Sequence, residues 1–316
     1  MSATGPFGAR LRAAVAARGP LCVGIDPHAA LLRDWGVGDD LAGLERFVRT
    51  ALDAVAGLVA VVKPQPAFFE RFGSRGIAVL ERVLADIRAA GSLALLDAKR
   101  GDIGSTVAAY AEAYLDPASP LAADAVTASP YLGFGSLRPL LAAARASGAG
   151  VFVLALTSNP EGAEVQCAAG PDGRTVAQRI LDAAGAENAG ELAADPAAAR
   201  AGLGSVGAVV GATVGRAGGS RPDLSRLRGP VLAPGVGAQG ATLADLSAAF
   251  GAVLPDVLPA VSRDLLRHGP DPARLRSAVD RMREEAAALV GQVPAPARTG
   301  PATTASGGSV TRGQSR

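Results

Sequence analysis

Residues 93–106 read LALLDAKRGDIGST, and this stretch decides how the rest of the chain is organised. An apolar run leads straight into charged positions, which is typical of a buried strand that ends at a polar surface. Because side chains alternate along a strand, Asp97 and Lys99 are predicted to share one face, with Leu93 and Leu95 deeper on that face. Buried charges require either pairing or a function. From this stretch alone, a structural salt bridge and a catalytic pair both remain open.

Lysine usage gives a second signal. The chain has 31 Lys and Arg residues, and only Lys63 and Lys99 among them are lysines. Each lysine follows a short apolar run, so the two hold matching positions at the ends of predicted strands. Arginine stays protonated in proteins, whereas a buried lysine can exchange a proton. Two lysines kept in an arginine-rich chain favour proton chemistry or compact ammonium electrostatics, and chance survival of two surface lysines is the alternative.

Composition excludes several classes of function. The 316 residues are 49% hydrophobic and 19% charged with a net charge of +2, which is typical of a core-rich globular protein without a nucleic-acid or membrane surface. Aromatic residues make up 4%, too few for base-stacking platforms. Cys22 and Cys167 belong to no motif, which indicates the reducing cytoplasm. His28 and His268 are isolated, so the sequence shows no zinc cluster, and no apolar run is as long as a membrane span.

The order of apolar runs predicts the fold. Eight such runs alternate with helical segments, at residues 21–25, 58–62, 93–97, 124–128, 151–156, 206–210, 231–233 and 257–261. This alternation predicts an α/β protein with a parallel (β/α)8 barrel, in which the carboxyl ends of the strands carry the active site. An open doubly wound sheet is the alternative, but its glycine signature comes on the first turn, and here the glycines come late. We expect one barrel domain over residues 1–292 and a low-complexity, disordered tail over 293–316.

The late glycines indicate a phosphate site. Residues 211–213 and 234–240 follow the sixth and seventh predicted strands, and Arg263 follows the eighth. Backbone N–H groups at Gly235 and Gly237 can face an anion, and an arginine can bind it bidentately. Barrel phosphate sites often use these last loops, although a glycine turn by itself usually reflects a tight backbone.

The residues now match a known pattern. Residues 97–106 (DAKRGDIGST) resemble the signature of orotidine 5′-phosphate decarboxylases, in the longer-chain subfamily found in actinobacteria among others. The resemblance runs in order over about residues 21–267, with one element per predicted strand. Its other members are GIDP at 24–27, KPQ at 63–65, SPYLG at 129–133, TSNP at 157–160, GAT at 211–213, PGVGAQG at 234–240 and SR at 262–263.

The resemblance implies a reaction and a set of roles. It implies decarboxylation of orotidine 5′-phosphate to uridine 5′-phosphate, the last step of pyrimidine nucleotide synthesis, without a cofactor or a metal. Lys99 resembles the proton donor to C6, Asp97 the neighbour of the substrate carboxylate, and Lys63 and Asp102 the rest of an alternating charge array.

Further positions resemble substrate ligands. Asp26 is similar to a ribose ligand and Ser158 to a base contact, while Gln239 and Arg263 are similar to phosphate ligands. Asp102 and Thr106 resemble positions that reach into the partner's site, which implies a homodimer.

Two other functions remain open at this point. One is a sister barrel enzyme, a phosphosugar decarboxylase or aldolase, because the Asp-x-Lys-x-x-Asp core is shared with those enzymes. The other is a non-catalytic barrel that binds a nucleotide or phosphate. The joint presence of Lys63, Asp97, Lys99 and Asp102 favours the decarboxylase, since binding alone does not require two buried lysines.

Overall fold

The structure is a computed structural model that describes residues 5–213, 221–237 and 240–291. Within these residues, eight parallel strands pair in sequence order and close into a barrel, which confirms the predicted (β/α)8 fold. The strands are β1 (Cys22–Ile25), β2 (Val61–Pro64), β3 (Leu93–Arg100), β4 (Ala125–Ala128), β5 (Gly150–Leu156), β6 (Val206–Val210), β7 (Val231–Pro234) and β8 (Val257–Val261). The barrel closes where Cys22 and Val23 of β1 pair with Ala260 and Val261 of β8. The predicted tail at 293–316 lies outside the described residues.

Helices surround the barrel and most of them bury their apolar faces against the outside of the sheet, whereas the first closes one end of the barrel. They are α1 (Phe7–Arg18), α2 (Ala29–Asp34), α3 (Leu41–Val55), α4 (Ala67–Glu70), α5 (Gly73–Ala89), α6 (Gly104–Leu115), α7 (Arg138–Ser147), α8 (Ala163–Gln166), α9 (Val176–Ala194), α10 (Pro196–Ala201), α11 (Leu243–Phe250), α12 (Arg263–Leu266) and α13 (Pro272–Gly291). In α3, the buried positions Leu44, Phe47 and Val48 recur at helical spacing, as the sequence predicts. Across the described residues, no helix combines the length and the apolar character needed to cross a membrane.

The first helix closes one end of the barrel. Phe7 and Leu11 of α1 are each 1% exposed and pack with side chains that point into the barrel interior. The Phe7 ring meets the Phe152 ring of β5 edge to face, with 5.9 Å between ring centroids. Arg10 pairs with Asp124 at 2.5 Å, which ties the helix to the start of β4. An apolar floor therefore lies beneath the barrel, opposite the end where the strands carry polar side chains.

The polar, alanine-rich segment 187–204 is helical and partly exposed between β5 and β6, as expected for a surface helix. Two of its polar residues, Asn188 and Glu191 of α9, are nevertheless buried. The Asn188 side chain donates to the carbonyls of Val206 and Leu227 at 2.7 and 2.8 Å. Glu191 accepts hydrogen bonds from both the amide and the hydroxyl of Ser205, at 2.8 and 2.6 Å. These polar groups satisfy backbone at the start of β6, which composition alone does not reveal.

Candidate active site

Three charged groups meet at the carboxyl ends of β2 and β3. Asp97 Oδ2 accepts a hydrogen bond from Lys63 Nζ at 2.7 Å, and Asp97 Oδ1 pairs with Lys99 Nζ at the same distance. Asp97 and Lys99 share a face of β3, as the alternation of side chains predicts. The Lys63 and Asp97 side chains are only 8% and 10% exposed, whereas Lys99 is 41% exposed. Lys63 and Asp97 are therefore the buried members of the cluster, and the Lys99 ammonium is the member accessible from the cavity.

The cluster is charged at neutral pH. Burial disfavours the ionised form of Asp97, but the adjacent ammonium groups of Lys63 and Lys99 outweigh burial and hold the pKa of Asp97 well below its usual range. Burial likewise disfavours the charged form of Lys63, and the carboxylates of Asp97 and Asp26 overcome it and raise the pKa of Lys63 above its ordinary value. A fixed carboxylate thus lies between two fixed cations.

A threonine that sequence reasoning missed completes this cluster. Thr127 on β4 is fully buried, and its hydroxyl donates to Asp97 Oδ1 at 2.9 Å. The same hydroxyl accepts the backbone N–H of Lys99, also at 2.9 Å. The available signal was one polar residue inside the otherwise small and apolar run 125–128 (AVTA).

The charged cluster opens into a cavity of about 450 Å³ at the carboxyl end of the barrel. Most of the expected site residues line this cavity, namely Asp26, Lys63, Asp97, Lys99, Ser158, Gly235 and Arg263. Gln65, from the KPQ motif, and His28 line it as well, although neither was assigned a role from the sequence. Burial lowers the pKa of His28, and Arg263 adds to this effect while Asp26 opposes it. The cavity has the size of a small-molecule site.

Two buried polar atoms in the wall of the cavity lack partners within the described structure. They are Asp26 Oδ1 at the end of β1 and the hydroxyl oxygen of Ser262 at the end of β8. Gly24 lets the two strand ends approach, since a β-carbon on Gly24 would lie 2.8 Å from the Ser262 β-carbon. Buried polar groups are normally hydrogen-bonded, so these atoms are available to pair with hydroxyl or amide groups of a ligand.

The loops expected to bind phosphate follow β7 and β8, which lie on the other side of β1 from the lysine-bearing strands β2 and β3. Arg263 is exposed at the start of α12, and Gly235 lines the cavity after β7. Gly237 does not line it. Its backbone has a φ of 78°, and a β-carbon there would lie 2.7 Å from that of Asp264, so this glycine serves the turn. Gln239 lies outside the described residues.

Two expected site residues do not reach the cavity of their own chain. Asp102 and Thr106 follow β3, and neither lines the cavity. Thr106 is exposed, and Asp102 Oδ1 accepts the backbone N–H of Ile103 at 2.8 Å. Ile103, the residue after Asp102, exposes 62% of its side chain, and Tyr131 and Leu132, which follow β4, are 77% and 53% exposed.

Comparisons with known proteins agree with this geometry. The sequence model described as "Orotidine 5'-phosphate decarboxylase / HUMPS family" matches residues 19–279. A Streptomyces coelicolor protein named orotidine 5′-phosphate decarboxylase is 62% identical over 280 residues, which cover 89% of this chain and 96% of the relative.

Solved structures are also similar. A Streptomyces avermitilis structure, provisionally described as an orotidine 5′-phosphate decarboxylase, is 62% identical with a TM-score of 0.85 and covers 92% of this chain and 98% of its own. A Leishmania donovani OMP decarboxylase structure is 32% identical with a TM-score of 0.69, over 90% of this chain and 99% of that one.

Proposed function

We propose that this chain, which belongs to the orotidine 5′-phosphate decarboxylase / HUMPS family, converts orotidine 5′-phosphate to uridine 5′-phosphate and carbon dioxide. It would act as a carboxy-lyase in the cytoplasm, at the last step of UMP synthesis. The observation that carries this proposal is the Lys63–Asp97–Lys99 cluster at the inner wall of the cavity. Binding alone does not require an accessible ammonium held beside a buried carboxylate, whereas a reaction that creates a carbanion is stabilised by one.

The cavity suggests how the substrate would lie. Its phosphate would bind Arg263 and the backbone near Gly235, and Gln239 is proposed as a further phosphate ligand. The ribose hydroxyls would satisfy the unpartnered oxygen of Asp26, and the base would contact Ser158. This orientation directs C6 and its carboxylate toward Asp97 and Lys99.

The chemical step needs one proton and no redox partner. When the bond between C6 and the carboxyl carbon breaks, carbon dioxide leaves and the electron pair stays on C6. The Lys99 ammonium stabilises that pair and delivers its proton to C6, and the neutral amine then regains a proton from water. Lys63 keeps Asp97 ionised, so the ammonium is already oriented when charge develops.

Repulsion between Asp97 and the substrate carboxylate would contribute in addition. Two like charges 4 Å apart at an effective dielectric constant of 20 repel by about 4 kcal/mol. That corresponds to about three decades of rate at most, so repulsion alone is too weak to explain an enzyme of this kind. Binding energy from the distant phosphate is a further source, because it can be used to close the site over the substrate.

A homodimer with shared sites is part of the proposal. Asp102 and Thr106 do not line their own cavity, and large apolar side chains are exposed at Ile103 after β3 and at Tyr131 and Leu132 after β4. A second copy of the chain covering these apolar side chains would carry Asp102 and Thr106 to its partner's cavity, where Asp102 would complete the charge array. Mixing inactive Lys99→Ala and Asp102→Ala homodimers should then restore partial activity, because mixed dimers contain one intact site. No recovery after subunit exchange would contradict shared sites.

The test of the reaction is direct. Purified protein is mixed with orotidine 5′-phosphate in EDTA, and the ultraviolet band of the substrate is followed beside a Lys99→Ala control. We expect rapid loss of the band and formation of uridine 5′-phosphate with the wild type only. Binding without turnover would favour the nucleotide-binding alternative, and turnover of phosphosugars instead would favour a sister enzyme.

We also propose that residues 1–292 form the catalytic unit and that 293–316 are dispensable.

A further inference from the structure

The hydroxyl of Thr127 joins the backbone of Lys99 to the carboxylate of Asp97. It accepts the Lys99 N–H and donates to Asp97 Oδ1, both at 2.9 Å. The directions of these bonds are fixed by chemistry, because an amide N–H can only donate and an ionised carboxylate can only accept. The single hydroxyl proton is therefore committed to Asp97, and the side chain has no rotational freedom left that keeps both bonds.

The backbone of Lys99 needs contacts that hold it in place because its conformation is one that non-glycine residues rarely adopt. Its φ is 51°, in the left-handed region. The β3–β4 pairing shifts register between Leu96 and Arg100, so Lys99 lies in a bulge where the regular ladder is interrupted. The Thr127 side chain takes the place of the backbone acceptor that a regular ladder would give to the Lys99 N–H. Strained backbone of this kind persists only where its surroundings hold it.

Lys99 keeps the face of β3 that alternation predicts, on the same side as Asp97. Within the bulge its ammonium reaches Asp97 Oδ1 at 2.7 Å, while 41% of the side chain stays exposed to the cavity. On the far side of the bulge, the Arg100 guanidinium donates to the Ala98 carbonyl at 2.9 Å and pairs with Glu70. Neither of these contacts touches Asp97 or the Lys99 amide.

From this geometry we propose that Thr127 is a positioning residue for the proton transfer. Its hydroxyl fixes the left-handed backbone of Lys99 to the carboxylate that orients the ammonium, and it acts through Lys99 without touching the substrate. The inference rests on the proposed decarboxylase function, because Lys99 is assigned there as the proton donor.

Three variants test this role in the full-length protein. Thr127→Val keeps the shape and removes the hydroxyl, and Thr127→Ser keeps the hydroxyl and removes the methyl group. The matched control is Ser92→Ala, which removes a buried hydroxyl that accepts from Gly57 N at 2.9 Å and donates to Val59 O at 2.7 Å, at the other end of β3. The readouts are kcat for orotidine 5′-phosphate and the affinity and stoichiometry of uridine 5′-phosphate binding.

We expect Thr127→Val to lower kcat at least tenfold while binding one uridine 5′-phosphate per chain with nearly unchanged affinity. Thr127→Ser should stay within about threefold of wild type, and Ser92→Ala should lose stability but not kcat. In a Lys99→Ala background, Thr127→Val should cause no further loss, since a residue that acts through Lys99 has nothing left to position.

Different results would contradict the positioning role of Thr127 and the decarboxylase function on which it rests. Wild-type kcat in Thr127→Val, equal losses in Thr127→Ser and Thr127→Val, or additive losses with Lys99→Ala would overturn the positioning role. A wild-type protein without decarboxylase activity would instead refute the proposed function on which it rests. If Thr127→Val fails to bind uridine 5′-phosphate because it does not fold, Thr127→Ala replaces it with the same expectations.

Discussion

Replacing Asp97 by asparagine tests the electrostatics of the site most sharply. The variant keeps the size of the side chain but removes the charge that pairs with Lys63 Nζ at 2.7 Å. At an effective dielectric constant of 20, the attraction at that distance is about 6 kcal/mol, and desolvation of both groups offsets part of it. Removing one partner of a buried pair typically costs about 3–5 kcal/mol. That is a large fraction of the stability of an ordinary domain.

Urea unfolding of the wild type and of Asp97→Asn at pH 7 measures this cost. Asp39→Asn is the matched control, because Asp39 pairs with Arg71 at the surface with both side chains more than a third exposed. We expect the control to change stability much less, since exposed ion pairs are screened by solvent. Equal effects of the two substitutions, or a more stable Asp97→Asn, would refute the picture of a buried charge that depends on its partner.

The pH dependence of the stability that this ion pair contributes follows from the lowered pKa of Asp97 and the raised pKa of Lys63. The lowered pKa of Asp97 contributes stability above an unfolded value of about 3.9, and that contribution is lost as the pH falls through the folded value. The raised pKa of Lys63 contributes stability below about pH 10.4, and that contribution is lost as the pH rises further. Both contributions are therefore complete from about pH 5 to 10 in the wild type.

In Asp97→Asn we expect the pKa shift of Lys63 on folding to change direction, from raised to lowered. Its ammonium stays buried without the main partner, so its folded pKa should fall below the unfolded value and the unfolded state binds more protons. Stability of the variant then rises with pH, and its deficit relative to the wild type should be smaller at pH 10 than at pH 7. A deficit that is constant over this range would show that Lys63 does not lose its proton.

Three other predictions concern separate parts of the molecule. Arg263→Ala should lower kcat/KM for orotidine 5′-phosphate about 100-fold or more, because charge-assisted bonds to phosphate are lost, and should have little effect on the phosphate-free nucleoside; equal losses on both substrates would contradict a phosphate role. Phe7→Ala should destabilise the protein by about 3–5 kcal/mol in urea unfolding through a cavity in the barrel floor, with kcat preserved in the folded fraction. A chain ending at residue 292 should keep the wild-type kcat, and loss of turnover would assign the tail a function.

The strand pattern was predictable because burial on both faces leaves continuous apolar runs, and each of the eight runs contains or overlaps its strand. The shared face of Asp97 and Lys99 followed from alternation. The bulge at Lys99 could not be predicted, because a register shift depends on how β3 pairs with β4 and leaves no local pattern in the sequence. Thr127 does stand out as a hydroxyl in an apolar run, but its role was missed because both of its partners lie on the neighbouring strand β3.

Polar residues in helices were harder to interpret. Asn188 and Glu191 lie in an alanine-rich polar segment, yet they satisfy backbone groups at the start of β6. Their burial comes from a tertiary contact that composition cannot show. Gly237 shows a packing requirement of another kind, because its positive φ and its approach to Asp264 call for a glycine whether or not its N–H faces an anion. For single glycines and polar residues, the packing partner decides the role.

The most direct test of the central claim is a single-turnover measurement with Lys99→Ala. Enzyme in excess over orotidine 5′-phosphate is followed by absorbance, and the affinity for uridine 5′-phosphate is measured in parallel so that binding and chemistry are separated. We expect the variant to bind the product but to turn over at least 100-fold more slowly, the lower range for loss of a general acid. Turnover by Lys99→Ala at the wild-type rate would contradict the claim that the ammonium beside Asp97 delivers the proton.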